Sequence, residues 1–294
     1  MLLLTGATGQ VGSVLLRRLT ADNRPVRVLV RDPRGLGAER VRVQIALGDL
    51  TDPPSFRNAL RGVKTVVHLA ASARDQRRGS IEELNGIATW RLVEAAERAG
   101  VEHFVFFSAL SASIHDRTRF LRAKALAEEA VRESRLRTTI FAPSLVFSPG
   151  DRHLTLLERL SWLPAVPVPG RGRARFQPIW AEDVADCVMA ALDDAGRHAM
   201  RRHELAGPDT LDHVALAELV LRAAGRQRPL VPVPEPVVKA SLKAAEALLQ
   251  GRAPATWDEA ELLQVSMTSR HGTADAEALG VTPRAMAAVL GAGA

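Results

Sequence analysis

Thr5-Gly6-Ala7-Thr8-Gly9-Gln10-Val11-Gly12 lies between the apolar run Leu2-Leu3-Leu4 and a stretch, 10–21, in which Val11, Val14, Leu15 and Leu19 recur at helical spacing. A Gly-x-x-Gly-x-x-Gly pattern alone says little. Placed between a strand and the helix it opens, each glycine has a task. Gly6 lets the chain turn tightly, Gly9 lets backbone approach a pyrophosphate, and Gly12 lets the helix pack close to the strand. The amides of the helix N-terminus then face the anion.

Outward from this turn the chain alternates. The pattern predicts strands at 2–5, 25–30, 41–47, 65–69, 103–107 and 138–142. Helices are expected at 10–21, from Pro53 with Asp52 as its cap, at 81–99 up to the stop at Gly100, and at 117–134 with Asp116 near its start. Strands roughly 20–35 residues apart, each followed by a helix, imply right-handed crossovers and a parallel sheet. The fold expected is a Rossmann-type, doubly wound α/β sheet. After Pro143 the pattern changes: 164–170 and 229–236 read as proline-rich loops, and helices are expected at 181–194, 213–224, 236–249 and 282–290. Residues 1–150, with 176–205 returning to them, form the expected dinucleotide-binding domain. Residues 151–175 and 206–294 form a smaller, mostly helical C-terminal domain for a substrate or partner.

Further features follow the glycine turn in order. Arg31 lies just after the second strand, where an adenosine ribose would lie. A cation there suits the 2′-phosphate of NADP(H), with Arg34 as a helper, whereas the neighbouring acid Asp32 would suit the free hydroxyl of NAD(H). NADP(H) is therefore the expected cofactor and NAD(H) the alternative. Asp49-Leu50, after the third strand, can receive the adenine amino group. Leu69-Ala70-Ala71 leaves room beside the fourth strand. Ser108 ends the fifth strand, and Lys124 lies sixteen residues further on.

Composition bounds the other functions. The charge is +6, from 39 Lys and Arg against 33 Asp and Glu. Lysine occurs only at 64, 124, 239 and 243, and the arginines are scattered. No basic run is interleaved with aromatic residues, so nucleic acid is not an expected partner. No apolar run approaches the ~18–20 residues that cross a bilayer, so membrane insertion is not expected either. The opening Met1-Leu2-Leu3-Leu4-Thr5 does not read as a signal peptide. Cys187, the only cysteine, cannot form an internal disulfide and reads as a small buried apolar residue on a helix. A cytoplasmic location is expected. No histidine pair has zinc spacing; His198 and His203 are five apart among arginines, and no metal is expected. No Gly-x-Ser-x-Gly elbow occurs. Arg171-Gly172-Arg173-Ala174-Arg175 is the most basic local cluster and reads mainly as a surface loop.

Together these stretches resemble the short-chain dehydrogenase/reductase superfamily in its atypical, extended branch. Within it they are most similar to the NmrA-like group and the accessory NADPH-binding subunit of respiratory complex I. The resemblance runs nearly end to end, through Val28-Leu29-Val30-Arg31-Asp32-Pro33, Gly48-Asp49-Leu50-Thr51-Asp52, Pro143-Ser144-Leu145-Val146-Phe147, Phe176-Gln177-Pro178-Ile179 and Leu279-Gly280-Val281-Thr282-Pro283. It implies a cofactor site made by Gly6, Thr8, Gly9, Gln10, Val11, Gly12, Arg31, Asp49, Leu50, Leu69, Ala70, Ala71, Ser108, Lys124 and Pro143.

The resemblance also exposes a departure. Active members use Tyr-x-x-x-Lys, in which the tyrosine moves a proton and the lysine lowers its pKa and holds the nicotinamide ribose. Here the stretch is Phe120-Leu121-Arg122-Ala123-Lys124, and the chain contains no tyrosine at all. Phenylalanine has no titratable proton. Two readings follow. One is a dinucleotide-binding sensor, regulator or accessory protein. The other is an oxidoreductase or epimerase-like enzyme acting on a small carbonyl or quinone, with Lys124 and Ser108 in place. Its proton donor would be His115, Ser111, Ser113 or a water held by Lys124. His115, in a polar loop, reads first as a solvated side chain.

Overall fold

Leu2-Leu3-Leu4 supplies both layers of the core at once, because successive strand residues face opposite sides of a sheet. Leu2 and Leu4 pack with Val14, Leu15 and Leu19 of the first helix and with Val184 and Val188; Leu3 packs with Phe104, Phe106, Leu92 and Val131 on the other face. A sheet covered on both faces explains strands that are apolar throughout.

The computed structural model describes residues 1–198, 200–249 and 253–291. Seven strands form the main sheet: β1 (Leu2–Thr5), β2 (Val26–Val30), β3 (Gln44–Leu47), β4 (Thr65–His68), β5 (His103–Phe107), β6 (Arg137–Pro143) and β7 (Arg201–Leu205). Their order is β3-β2-β1-β4-β5-β6-β7, and every neighbouring pair is parallel. Thr5 lies opposite Leu29 on one side and His68 on the other. The winding reverses between β1 and β4, which opens a crevice at their carboxyl ends. The longer helices are α1 (Gln10–Ala21), α2 (Ala88–Arg98), α3 (Arg119–Glu133), α4 (Arg152–Leu160), α5 (Ala181–Asp193), α6 (His213–Ala223), α7 (Glu235–Leu249) and α8 (Trp257–Leu262). The Rossmann-type sheet and the helical C-terminal region are as the sequence predicts. A third apolar cluster, with Phe147, Leu154, Leu157, Leu216 and Val220, packs α4 against α6. Cys187 is buried on α5, and burial pushes its thiol up to about 12.

Several boundaries differ from expectation. The third strand begins at Gln44 rather than 41, because Asp32 caps a tight helical stretch, Pro33–Val41, by accepting the Arg34 amide. The Asp52 side chain makes no capping bond. Helix α3 starts later than 117: Thr118 is its cap, and Asp116 instead accepts the Thr118 amide and hydroxyl, each at 2.7 Å. The helix expected at 81–99 opens with a wide π-type turn, Glu83–Ile87. Its Asn85 is fully buried and bonds the Ser72 amide and carbonyl. The last helix covers only Met286–Leu290. The two proline-rich loops are a parallel ribbon, Val166–Pro169 on Leu230–Val233. A two-stranded ribbon is all edge, so prolines without N–H groups are tolerated there. Buried Val166 and Val168 hold it to the core.

Candidate functional site

The crevice at the end of β1 is a cavity of about 450 Å³. Of the residues expected at a cofactor, Gly6, Thr8, Gly9, Arg31, Asp49, Leu50, Leu69, Ala70 and Ala71 line it. The three glycines differ in what a side chain would meet. A Cβ on Gly6 would lie 2.6 Å from the Ala70 amide nitrogen, and Gly6 has φ +74°. A Cβ on Gly12 would lie 2.1 Å from the Gly6 carbonyl oxygen. Both glycines serve close backbone packing. A Cβ on Gly9 meets only the Gly6 oxygen, at 3.1 Å, and otherwise enters the cavity. Gly9 is the N-cap of α1, with no side-chain cap and no acid in the first turn. The end of the helix dipole is thus left for an anion.

At the far end of the cavity Arg31 Nη1 donates to Gln76 Oε1 at 2.9 Å. Asp32 is already engaged: the Arg34 amide and guanidinium hold it, at 2.9 and 3.1 Å. These bonds from Arg34, the backbone one foremost, hold the Asp32 carboxyl below its ordinary range. In this arrangement Arg34 pairs with Asp32. Asp49 accepts the Thr51 amide and hydroxyl on Oδ1, at 3.0 and 2.9 Å. Its Oδ2 is buried without a hydrogen bond, with Arg78 Nη1 3.6 Å away. Burial pushes this carboxyl up, but the Thr51 bonds and the charges of Arg31 and Arg78 outweigh it and keep it low. An ionised acceptor with a free lone pair suits an amino group such as adenine's.

The remaining expected residues lie outside this cavity. Gln10 donates to Asp151 Oδ2 at 3.1 Å, Val11 packs against the core, and the Pro143 carbonyl accepts the Leu110 amide at 3.1 Å. Lys124 is buried, and its Nζ donates to the Phe107 carbonyl at 2.6 Å. The Nζ sits 5.0 Å from the Phe106 ring centre and 5.8 Å from that of Phe120. Burial pulls its pKa down to about 7. Ser108 Oγ is buried with no partner. His115 is exposed, as its polar loop suggests, and Ser111 is spent on the Ser266 carbonyl at 2.6 Å. His68 is fully buried between the hydroxyls of Thr5 and Thr89, and burial followed by the Lys124 charge pushes it down to about 3. It is a neutral core histidine.

Sequence reasoning missed Ser72, Gln76 and Gly35, which also line the cavity. The signal of Ser72 and Gln76 is weak because a loop places them, and Asn85 pins that loop at Ser72, whereas Gly35 lies in the stretch Pro33–Val41 that the spacing does not predict as helical. The unpartnered buried Asp49 Oδ2, a glycine that opens onto the cavity and a bare helix N-terminus fit a dinucleotide.

A family model described as NAD(P)H-binding matches residues 6–195. The chain belongs to this NAD(P)H-binding family. It is 31% identical over 246 residues to the mitochondrial NADH dehydrogenase (ubiquinone) 1 alpha subcomplex subunit 9 of Arabidopsis thaliana, covering 80% of this chain and 60% of that one. It is also 31% identical over 265 residues to a (4-alkanoyl-5-oxo-2,5-dihydrofuran-3-yl)methyl phosphate reductase of Streptomyces griseus, covering 84% of this chain and 86% of that one. A nucleoside-diphosphate-sugar epimerase from Staphylococcus aureus superposes with a TM-score of 0.75 at 19% identity, over 98% of this chain and 99% of that one. That likeness concerns the fold. The resemblance to atypical short-chain dehydrogenases and complex I accessory subunits is borne out. Among the described residues no group of His, Cys, Asp and Glu could hold a metal ion, and no helix is long and apolar enough to cross a membrane.

Proposed function

We propose that this chain binds NADP(H) in the β1 crevice and reduces acceptors whose hydride adduct is already a stabilised oxyanion, such as an enone or a quinone. The observation that carries this reading is Lys124. A buried amine pays a desolvation cost whenever it is charged, and here it stands beside Ser108 and Phe120 with no tyrosine to assist. The pyrophosphate would lie on Gly9 and the α1 amides, adenine at Asp49, the 2′-phosphate at Arg31, and the nicotinamide side at Ser108, Lys124 and Pro143. The bound cofactor supplies a hydride. The protein's part is to position the acceptor, with Ser108 Oγ donating a hydrogen bond to its oxygen and Lys124 stabilising negative charge. Hydride addition at an enone β-carbon would move the π pair onto the oxygen that Ser108 and Lys124 meet, and water would then supply the proton. A plain ketone gives an alkoxide, which needs the acid that Phe120 cannot provide.

The test is NADPH oxidation with paired enone and ketone acceptors. Turnover confined to conjugated acceptors supports the reading; equally fast ketone reduction overturns it. A second reading, an NADPH-loaded regulator or accessory protein, is favoured by Phe120 together with the Arabidopsis relative. Tight NADPH binding with no turnover of any acceptor would select it.

Arg31→Ala is expected to weaken NADPH at least tenfold and NADH little, since a charge-assisted bond contributes about 1.5–3 kcal/mol. Equal NADPH and NADH affinities in the unmutated protein would remove Arg31 from this role. Phe120→Tyr is expected to fold, keep NADPH binding and gain only weak ketone reduction. A well-placed general acid contributes about 10²–10⁴ in rate, but Ser108 and the acceptor are not tuned to this one. A ketone rate that stays at the uncatalysed level would leave position 120 without access to the acceptor.

A further inference from the structure

A second cavity, of about 400 Å³, lies in the helical C-terminal region, and the dinucleotide has no use for it. Leu145, Leu157, Leu160, Pro167, Val238 and Leu242 are among the residues that make its wall apolar. Its volume is in the ~300–1,000 Å³ range of ligand pockets. The two charged residues at its rim are spent on protein groups. Arg152 Nη2 donates to the Ala253 and Pro254 carbonyls at 2.9 and 3.1 Å, and Glu259 Oε1 accepts Arg74 Nε at 2.8 Å. Among the described residues, no free charge therefore awaits an ionic headgroup there.

Two imidazoles interrupt the apolar wall. His153 and His213 meet edge to face, with ring centres 5.9 Å apart and planes at 68°. Both nitrogens of His213 and Nε2 of His153 are buried without a hydrogen-bond partner. Burial, helped by His153, pushes His213 down to about 4, so it is neutral near pH 7 despite Asp212. A neutral imidazole offers one donor and one acceptor, which suits an uncharged oxygen.

The cavity adjoins the proposed reaction centre. Leu145 follows Pro143 by two residues, so their Cα atoms are at most ~7.6 Å apart. On the other side one loop separates the two cavities: Ser72 and Gln76 line the first, and Arg74 between them holds Glu259 of the second. Helix α7 covers the cavity with Val238 and Leu242 yet buries none of its own residues fully. Such a loosely packed cover suits the entry of a long, flexible ligand.

We propose that this cavity holds the alkyl or acyl tail of the acceptor, with His153 and His213 meeting an uncharged oxygen on that tail. The proposal rests on the reductase reading for what happens at the other end of the molecule. The test uses methyl enones with tails from butyl to decyl, each also made with one ether oxygen in the tail, titrated calorimetrically into the NADP⁺-loaded protein, with the imidazole NMR resonances followed in parallel. Affinity should rise about fourfold per methylene until the cavity is full, and the His153 and His213 resonances should shift. Leu242→Trp, which fills the cavity from its cover, should cost the decyl compound at least tenfold and leave the butyl compound and NADP⁺ unaffected. Flat affinity along the series, or unmoved imidazole resonances in the unmutated protein, overturns the assignment. Tail-dependent binding without NADPH oxidation supports the cavity and refutes the reductase. Oxidation of short enones without tail dependence does the reverse.

Discussion

Gly9→Val is expected to fold and to lose NADPH affinity by more than a hundredfold, a loss of about 2.7 kcal/mol or more. The three glycines of the turn look equivalent in sequence and are not equivalent in space. At Gly6 and Gly12 a side chain would collide with backbone, so substitution there tests folding rather than binding. Gly9 has φ −80° and ψ 176°, extended backbone that any residue adopts. Its Cβ would press only on the Gly6 oxygen at 3.1 Å, which a shift of a few tenths of an ångström relieves. Valine at the helix cap costs about 1 kcal/mol relative to a good cap, so the variant should melt only a few degrees lower. Its two methyl groups would stand where a pyrophosphate must approach the α1 amides. Calorimetric titration with NADPH, alongside circular dichroism to verify the fold, decides the matter. A folded variant with unchanged affinity would show that the phosphates lie elsewhere.

The same turn shows why so much of the fold was readable. A buried parallel strand must be apolar on both faces, and Leu2-Leu3-Leu4, Val66-Val67 and Phe104-Val105-Phe106 advertise that. Strand β7, Arg201-Arg202-His203-Glu204-Leu205, does not. It lies at the sheet edge, where only His203 and Leu205 are well buried and the arginines reach solvent or acids. The ribbon Val166–Pro169 was hidden for a different reason: proline usually marks a loop, and only a partner strand sixty residues away shows otherwise. At the site, residues on the glycine turn and at strand ends were legible because strand order alone brings them together. Asp32 read as a rival for the ribose until its bonds to Arg34 were visible. The His153–His213 pair could not be read at all, since two helices distant in sequence create it by packing.

Lys124→Met is expected to make the cofactor-free protein more stable near neutral pH, and the gain should vanish as the solution becomes alkaline. The lysine titrates at 10.5 when free and at about 7 in the fold, because burial disfavours its charged form. Its bond to the Phe107 carbonyl and the nearby Phe106 ring only partly offset the lost hydration. Each pKa unit corresponds to about 1.4 kcal/mol, so the gap of 10.5 − 7 = 3.5 has a ceiling of roughly 5 kcal/mol. The sign follows from proton counting. Between pH 7 and 10.5 the unfolded chain holds a proton that the folded chain has shed, so the native protein gains stability as pH rises through that window. Below about pH 7 both states hold the proton and the full penalty persists. Methionine has no such titration. The difference in urea midpoint between variant and native protein should therefore be largest below about pH 7, shrink steadily above it and close near 10.5. Groups common to both proteins cancel in that difference. A variant less stable at every pH, or an offset that ignores pH, would mean that Lys124 is well solvated in the fold. In that case it would no longer be a cation held at a cost for a ligand to use.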